Sequence, residues 1–420
     1  MQYSKLRAHG DRPSPQYAAV HTQDVVDCIV SCVYGDRGYN GGIEAVKACS
    51  LTCWTWYNAS QRFILQRISI VCEEGASDFT RLLRKKPSTY AFITHLKISN
   101  RPPGSNKLLV DLKLPFRPTR SGQGMVFPRA APWLSHLITD VIRLPRLRKL
   151  HLDGMITRNI LNIPFVQVSK TLRKLKFQSS MVWSQDLHDI FLCFPYVERL
   201  VLLDSSFNIT GTHSQHDRAT TSPSIQALAC AFTPRLGQAS SLRRFISWLL
   251  SANITHDLRL LSVAVGGKED LLQAATLCRS IGPQLQYFAL SFAFYYLKDI
   301  IHISNFDLSN LVRLRTLQLF FPADSICAET CAILATISSD VFSHLELHLH
   351  ILTERPVDVS HLSIISQCSF VCCLKTLLII VRIGNALSNP EALFQTMKHD
   401  IEVSLSALHR KGIVRVSRTS

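Results

Sequence analysis

The chain has 420 residues, of which 47% are apolar and 18% are charged, and 46 Lys and Arg against 30 Asp and Glu give a formal net charge of +16. This composition excludes an intrinsically disordered chain, which is poor in apolar residues and rich in charge. Because a single hydrophobic core stops growing at about 250–300 residues, we expect the chain to divide into domains or to consist of repeats.

The chain has no apolar run of the roughly 20 residues that span a bilayer. The longest strongly apolar run is about Tyr287 to Leu297. Residues 1–19 carry several charges and lack the apolar segment of a secretory signal. We therefore predict no membrane contact. We also expect the 13 cysteines to be reduced. Cysteines stay reduced in the cytoplasm and the nucleus, so we expect the protein in one or both of these compartments.

In chain order, residues 1–20 are polar and predict a flexible tail. Residues 21–70 predict a small domain of three helices. Apolar residues recur at helical spacing from Val25 to Val33, and a second pattern runs from Ile43 towards Trp56 after a glycine-rich break. The third predicted helix contains Phe63, Ile64, Leu65 and Ile68.

Residues 99–135 hold six prolines and three glycines, which favour a loop-rich insertion with one short strand at Leu108 to Leu114. A second insertion is expected at 204–224, which is rich in Ser and Thr and nearly free of large apolar side chains.

From residue 93 onward a six-residue motif recurs, with apolar side chains at its first, fourth and sixth positions. The nine copies begin at Ile93, Leu147, Leu172, Val197, Leu258, Leu285, Leu314, Phe342 and Leu374. The intervals are 25 and 25 from Leu147, and 27, 29, 28 and 32 from Leu258. The longer gap before Leu258 is expected to hold the polar insertion and one irregular unit near Leu242 to Leu250.

This repeat resembles the leucine-rich repeat family, whose units have about 20–29 residues. Helical patterns at Trp183 to Phe194 and Leu271 to Ile281 lie between predicted strands. The resemblance implies an α/β fold over residues 71–420, an irregular solenoid with a curved parallel sheet and outer helices. The family's usual Asn or Cys after the strand is missing, because those positions hold Met155, Ser180, Ser205, Gly266, Ala293 and Pro322.

The segment Ile43 to Trp56 contains Ala48-Cys49-Ser50-Leu51-Thr52-Cys53, which resembles the F-box family. Thr22-Gln23 stands where that family has Leu-Pro. An F-box-like start followed by leucine-rich repeats looks like the large set of fungal F-box proteins.

This resemblance implies that the chain is the substrate-recognition subunit of a Skp–cullin–F-box ubiquitin ligase and is not itself an enzyme. Its partners would be a Skp-family adaptor and a substrate protein. An F-box buries apolar side chains in its adaptor, as in helix-in-groove recognition. The residues expected to bind the adaptor, and to share in the domain's own core, are Val25, Val26, Ile29, Val46, Leu51 and Trp56.

The substrate is expected on the concave face of the solenoid, where side chains alternate with the buried positions of each strand. At one end that face carries Lys149, Lys174, Lys176 and Arg199. We hypothesise that these residues bind an acidic or phosphorylated segment of the substrate. A basic face that is merely solvated is the competing interpretation. The middle strands are expected to present an apolar face, and the later ones Gln318, Glu346 and His348.

Two other functions stay open at this point. One is a leucine-rich-repeat scaffold with a degenerate F-box that acts outside ubiquitination. The other is a basic solenoid that binds nucleic acid, which we disfavour because the basic residues are scattered and are not interleaved with aromatic residues.

We predict no catalytic site, no cofactor and no metal site, since no nucleophile elbow, phosphate-binding loop or zinc-protease motif occurs. Cysteine pairs such as Cys49/Cys53 and Cys368/Cys372 are interpreted as buried helix faces rather than zinc ligands. The segment His344 to His350 is interpreted as a solvated strand face rather than a metal site.

Overall fold

A computed structural model of the chain describes residues 25–26, 28–30, 45–100, 133–157, 168–209, 223–232, 240–292, 306–323, 333–351, 357–384 and 387–419. The predicted tail at 1–20, the glycine-rich break at 34–42 and the short strand predicted at Leu108 to Leu114 lie outside these residues.

The α-helices are α1 (Trp54–Gln66), α2 (Cys72–Lys85), α3 (Trp133–Ile142), α4 (Ser184–Cys193), α5 (Ser241–Ser251), α6 (Lys268–Ile281), α7 (Pro390–Ser404) and α8 (Ser406–Arg410). Short 3₁₀ helices occupy Pro87–Ala91, Gly282–Gln284, Ser360–Gln367 and Ser369–Cys372. The strands are β1 (Arg67–Val71), β2 (His95–Ser99), β3 (Lys149–Asp153), β4 (Lys174–Gln178), β5 (Met181–Trp183), β6 (Arg199–Asn208), β7 (Ala227–Phe232), β8 (Leu260–Val265), β9 (Tyr287–Phe292), β10 (Thr316–Pro322), β11 (His344–Ile351), β12 (Thr376–Ile383) and β13 (Val414–Thr419).

The strands form one open sheet of 13 strands with the order β1-β2-β3-β4-β6-β7-β8-β9-β10-β11-β12-β13. Every neighbouring pair is parallel, and β5 adds to the second half of β6. Parallel neighbours require a crossover between strands, and described helices lie in several of these crossovers, as α5 does between β7 and β8 and α6 between β8 and β9. The prediction of an α/β fold with a large parallel sheet is confirmed.

Each of the nine predicted apolar motifs contains a strand that begins at the third residue of the motif, as Leu147 precedes β3 and Leu172 precedes β4. All three apolar positions are buried in these two units. They join a continuous core that extends from Ile70 to Val414 and includes the inner sides of the helices. Burial of these apolar rows is the main favourable term for this part of the chain.

Three successive units share a local conformation directly after the strand. Gly154, Ser179 and Asp204 occupy equivalent positions and have φ values of 68°, 46° and 48°. This left-handed conformation is uncommon outside glycine. The chain then continues through a short second row of pairing, in which β5 lies beside residues 206–208 of β6.

Serine hydroxyls connect the same units. The Oγ of Ser180 accepts a hydrogen bond from the backbone N–H of Met155 at 3.2 Å, and the Oγ of Ser205 accepts one from the N–H of Ser180 at 3.3 Å. Both serines are buried. A side-chain oxygen therefore satisfies a buried backbone donor at a position where the sequence lacks Asn.

Several strands were not predicted, and some boundaries differ. Ile68 lies in β1 and not in a helix, so that expectation was wrong. The expected irregular unit exists, but its strand is β7 and the stretch Leu242 to Leu250 forms α5. Of the insertion expected at 204–224, residues 204–208 belong to β6, and residues 210–222 lie outside the described chain. Of the insertion expected at 99–135, Ser99 belongs to β2 and residues 133–135 belong to α3, and residues 101–132 lie outside the described chain.

A second, smaller hydrophobic cluster lies at the start of the described chain. Helical residues occur at 25–26, 28–30 and 45–50, ahead of α1. The cluster contains Val26, Val30, Val46 and Ala59, with Trp56, Phe63 and Ile64 packed against it. Because α1 ends at Gln66 and β1 starts at Arg67, this helical unit continues into the sheet without a linker. None of the helices described has the length and apolar character needed to cross a bilayer.

Candidate functional site

The small helical unit leaves four large apolar side chains in solvent. Val25 and Ile29 are 58% and 43% exposed, and Leu51 and Trp54 are 86% and 74% exposed. We call these four residues the apolar patch. They belong to two short segments of one small unit, Val25 with Ile29 and Leu51 with Trp54. Isolated apolar residues on a surface are ordinary, but several in one small unit favour an interaction site.

The local sequence explains this exposure. Residue 50 ends a helical segment, and the backbone N–H groups of Leu51 and Thr52 close tight turns onto Ala48 and Cys49 at 3.1 and 3.2 Å. The turn directs Leu51 away from the core, and α1 begins three residues later. Trp54 stacks on Tyr57 with ring centroids 5.3 Å apart, which holds the indole on the outer side of α1.

The predicted adaptor-binding residues divide into two groups. Val25, Ile29 and Leu51 lie in the apolar patch, whereas Val26 and Val46 are buried in the small cluster and Trp56 is half-buried against it. Val26 and Val46 therefore support the unit from inside and are not available to a partner. Sequence reasoning missed Trp54, although its spacing of three from Tyr57 was a signal for an aromatic pair on one helix side.

The second candidate surface is the open face of the sheet, by which we mean the rows of side chains that alternate with the buried apolar rows. The strand register places Lys149, Lys174 and Arg199 next to one another on β3, β4 and β6. Lys176 lies two residues after Lys174 on β4, on the same face. The structure thus brings the four predicted basic residues together. We call them, with Arg67, His95, Lys97 and His151 on the same rows, the basic face.

The basic face contains an ion pair and several cations that lie close to one another. Lys97 pairs with the buried carboxylate of Asp153 at 3.4 Å. Burial lowers the pKa of Lys174, and the charges of Lys149 and Arg199 lower it further. Burial also lowers the pKa of His95 to about 4, with Lys149 and Arg67 as the next causes. Cations that repel one another in a partly desolvated site favour an added anion.

Small side chains cover the open face beyond β6. Ala229 and Ala231 of β7 align with Ser262 and Ala264 of β8, whereas Ala227 of β7 aligns with Leu260. The alanines of β7 are half-buried, so this strip remains partly accessible. Ser262 is only 8% exposed, and its Oγ has no hydrogen-bond partner among the described residues. We call this region the small-residue strip.

At the far end, a hydrogen-bonded chain crosses β9, β10 and β11. Tyr287 donates to the amide oxygen of Gln318, and Gln318 Nε2 donates to Glu346 Oε2 at 2.6 Å. The same Glu346 oxygen lies 3.3 Å from Nε2 of His348, whose ring stacks on Phe320 with centroids 4.0 Å apart. Burial raises the pKa of Tyr287 to about 12, and the charge of Glu346 adds to this.

The expectation of a solvated strand face at His344 to His350 was wrong in part. His344 is exposed, but His348 and His350 are buried. In the part of the chain that the structure describes, no three His, Cys, Asp or Glu side chains are placed to hold a metal ion.

The expectation of helix-face cysteine pairs was wrong for two of the pairs. Cys53 lies in extended backbone before α1, in a different segment from Cys49. Cys368 separates two 3₁₀ helices, whereas Cys372 ends the second of them.

No model of a known protein family matches this chain, and no curated protein matches it in sequence.

Proposed function

We propose that this protein is the substrate-recognition subunit of a Skp–cullin–F-box ubiquitin ligase. The helical unit around the apolar patch would bind the Skp-family adaptor, and the open face of the sheet would bind the substrate protein. The chain would carry out no bond chemistry itself. It would act by raising the effective concentration of the substrate at a ubiquitin-loaded enzyme in the cytoplasm or nucleus.

The exposed apolar patch is the observation that carries this proposal. Leu51 is the leucine of the Cys-Ser-Leu-Thr-Cys segment that resembles an F-box, Trp54 directly follows that segment, and both are largely exposed. Interface energy concentrates in such large side chains, with Trp enriched among them. The described part of the unit beneath them has a small core, and burial of the patch against a partner would stabilise it.

The sheet supports the leucine-rich-repeat part of the proposal. Its strands are parallel and follow one another in chain order along the sheet. Three units repeat at intervals of 25 residues, and each has a residue with left-handed backbone conformation at the same position. The hydroxyls of Ser180 and Ser205 take the place of the Asn side chains that usually connect such repeats. A solenoid of this kind would present its open face as an extended binding surface.

The test is adaptor binding by the full chain and its variants. Each of Leu51→Ala and Trp54→Ala is expected to weaken binding to the purified Skp adaptor at least tenfold, since truncated hot-spot side chains cost about 2 kcal/mol or more. The matched control is Val403→Ala on α7, because Val403 is 60% exposed and lies outside the patch. Calorimetric titration gives the affinities, and circular dichroism checks the fold.

Adaptor binding that survives the double substitution Leu51→Ala with Trp54→Ala would contradict the proposed interface. A folded wild-type chain that binds no adaptor would favour the alternative of a repeat scaffold outside ubiquitination.

A further inference from the structure

The open face has different chemistry at its two ends. The basic face occupies β1 to β6, and Glu346 lies on β11. The small-residue strip and the Tyr287–Gln318 pair lie between them. A ligand that crosses this sheet would therefore meet cations first, then a strip with little side-chain bulk, and finally a carboxylate.

Glu346 is suited to receive a cation. Its Oε2 accepts a hydrogen bond from Gln318 and lies 3.3 Å from Nε2 of His348. These two contacts orient the carboxylate, and among the described residues they leave Oε1 for a ligand. The Glu346 side chain is 28% exposed. Hydrogen bonds that fix a carboxylate reduce the entropy lost when a guanidinium pairs with it.

The small-residue strip is suited to an extended chain. Ala229, Ser262 and Ala289 lie side by side on β7, β8 and β9. Ala229 is half-buried, whereas Ser262 and Ala289 are 8% and 0% exposed, so a bound segment would contact Ala229 and the side chains that border the two buried residues. The Ser262 hydroxyl is buried and unpartnered in the middle of this row. A buried hydroxyl without a partner carries a free-energy cost that a ligand carbonyl or amide would remove.

The register sets the length of such a segment. Six strand spacings of about 4.8 Å separate β4 from β11, which is about 29 Å along the sheet. An extended peptide advances about 3.3 Å per residue, so about nine residues cover this distance.

We propose that the open face binds an extended peptide segment with an anionic group at the basic face and, about nine residues away, a Lys or Arg side chain on Glu346. This inference rests on the proposed function, because it names the substrate class of the same face. The anionic group can be a run of carboxylates or a phosphate, and both share the required chemistry.

The experiment uses the full chain and labelled synthetic peptides, with affinity read by fluorescence anisotropy. Each peptide has an anionic end, an Ala-Ser spacer and a two-arginine end. The spacer places the two ends four, nine or fourteen residues apart. One series has three glutamates at the anionic end and a second has one phosphoserine, which distinguishes the two sources. We expect the nine-residue spacing to bind about fivefold tighter than the other two.

Three variants locate the peptide. Glu346→Gln keeps the hydrogen bond from Gln318 but removes the charge, and should weaken the two-arginine peptide about fivefold while leaving a two-alanine version unchanged. Ala229→Phe should weaken every peptide, because it fills the strip. The matched control is Arg243→Glu, an exposed residue of α5 away from the open face, which should change nothing.

Equal affinity at all spacings, or no difference between the two-arginine and two-alanine peptides, overturns the inference. A single-stranded oligonucleotide that binds more tightly than every peptide and is indifferent to Glu346→Gln also overturns it, and assigns the face to nucleic acid. Adaptor binding is measured on the same preparations. If it is absent while the spacing preference holds, the ligase function fails and the peptide site stands.

Discussion

Lys176 is a half-buried lysine among other cations. Burial lowers its pKa, Lys174 and Lys97 lower it further, and Asp153 and Asp204 act in the opposite direction. The folded state therefore binds this proton less tightly than the unfolded state does, and the charge destabilises the fold at neutral pH. Such a residue is retained where it is needed for binding, at a cost in stability.

The substitution Lys176→Met is expected to raise the free energy of unfolding by roughly 0.5–1 kcal/mol at pH 7 and to weaken anionic peptides. The gain should be complete below the lowered pKa of Lys176. It should disappear as the pH rises towards 10.5, where the unfolded state also loses the proton. Urea denaturation at pH 7 and pH 10 measures this. Lys375→Met, at an exposed position, should change stability little, and an equal gain there would contradict the explanation.

At the level of elements, the serine hydroxyls join units that the sheet alone joins only through strand pairing. The Oγ of Ser180 both accepts from Met155 N–H and donates to the carbonyl of Gln178 at 2.8 Å. The Oγ of Ser205 repeats this arrangement with Ser180 and Leu203. Each hydroxyl thus satisfies two backbone groups that lie beside the core.

Replacing Ser180 by Ala leaves the buried N–H of Met155 without its acceptor, which should cost about 1–3 kcal/mol. Ser205→Ala should cost a similar amount, through the N–H of Ser180. The control is Ser247→Ala on the exposed side of α5, which should be neutral or slightly stabilising because Ala favours helix. Chemical denaturation of the three variants is the measurement. A Ser180→Ala protein as stable as the control would contradict the stabilising role of the serine hydroxyls.

The strands that could be predicted are those whose three apolar positions are unambiguous. β7 has the same pattern in Ile225, Leu228 and Cys230, but its third position is Cys and a polar segment precedes it. β1 has the pattern in Leu65, Ile68 and Ile70, but there it overlaps a helical periodicity. Local patterns do not decide such cases, because pairing with β2 or β8 comes from distant parts of the chain.

The last strand shows where the pattern itself is missing. In β13, Val414 and Val416 align with Leu377 and Ile379, but the position equivalent to Leu374 is Lys411. The candidate sites follow the same rule. Period-two alternation correctly grouped Lys149, Lys174 and Arg199, whereas the exposure of Trp54 depends on a turn that composition does not reveal.

At the scale of the whole molecule, stability is distributed unevenly. The large core extends through every strand of the main path, while the small cluster around Val46 has four buried apolar residues within the described ranges. Regions with few buried apolar contacts open at a lower free energy than the core does. The proposed adaptor site would therefore lie on the least stable part of the described chain.

Hydrogen exchange followed by mass spectrometry should detect this difference. Peptides from residues 45–66 are expected to exchange in minutes, and those from β8 to β10 much more slowly. Adding the Skp adaptor should slow exchange in 45–66 alone, since a ligand that binds the closed form stabilises it. Equal protection of both regions in the free protein would contradict the expected difference in stability.

Gly154, Ser179 and Asp204 stand 25 residues apart, so the units between them share one length. Successive side chains along a strand point to opposite sides. Deleting one residue in a strand or its following turn would therefore move the next serine hydroxyl away from the backbone N–H that it accepts from. We therefore expect insertions to be tolerated better outside the strands and their following turns, as between β6 and β7. A tag or a sensor loop should be placed there.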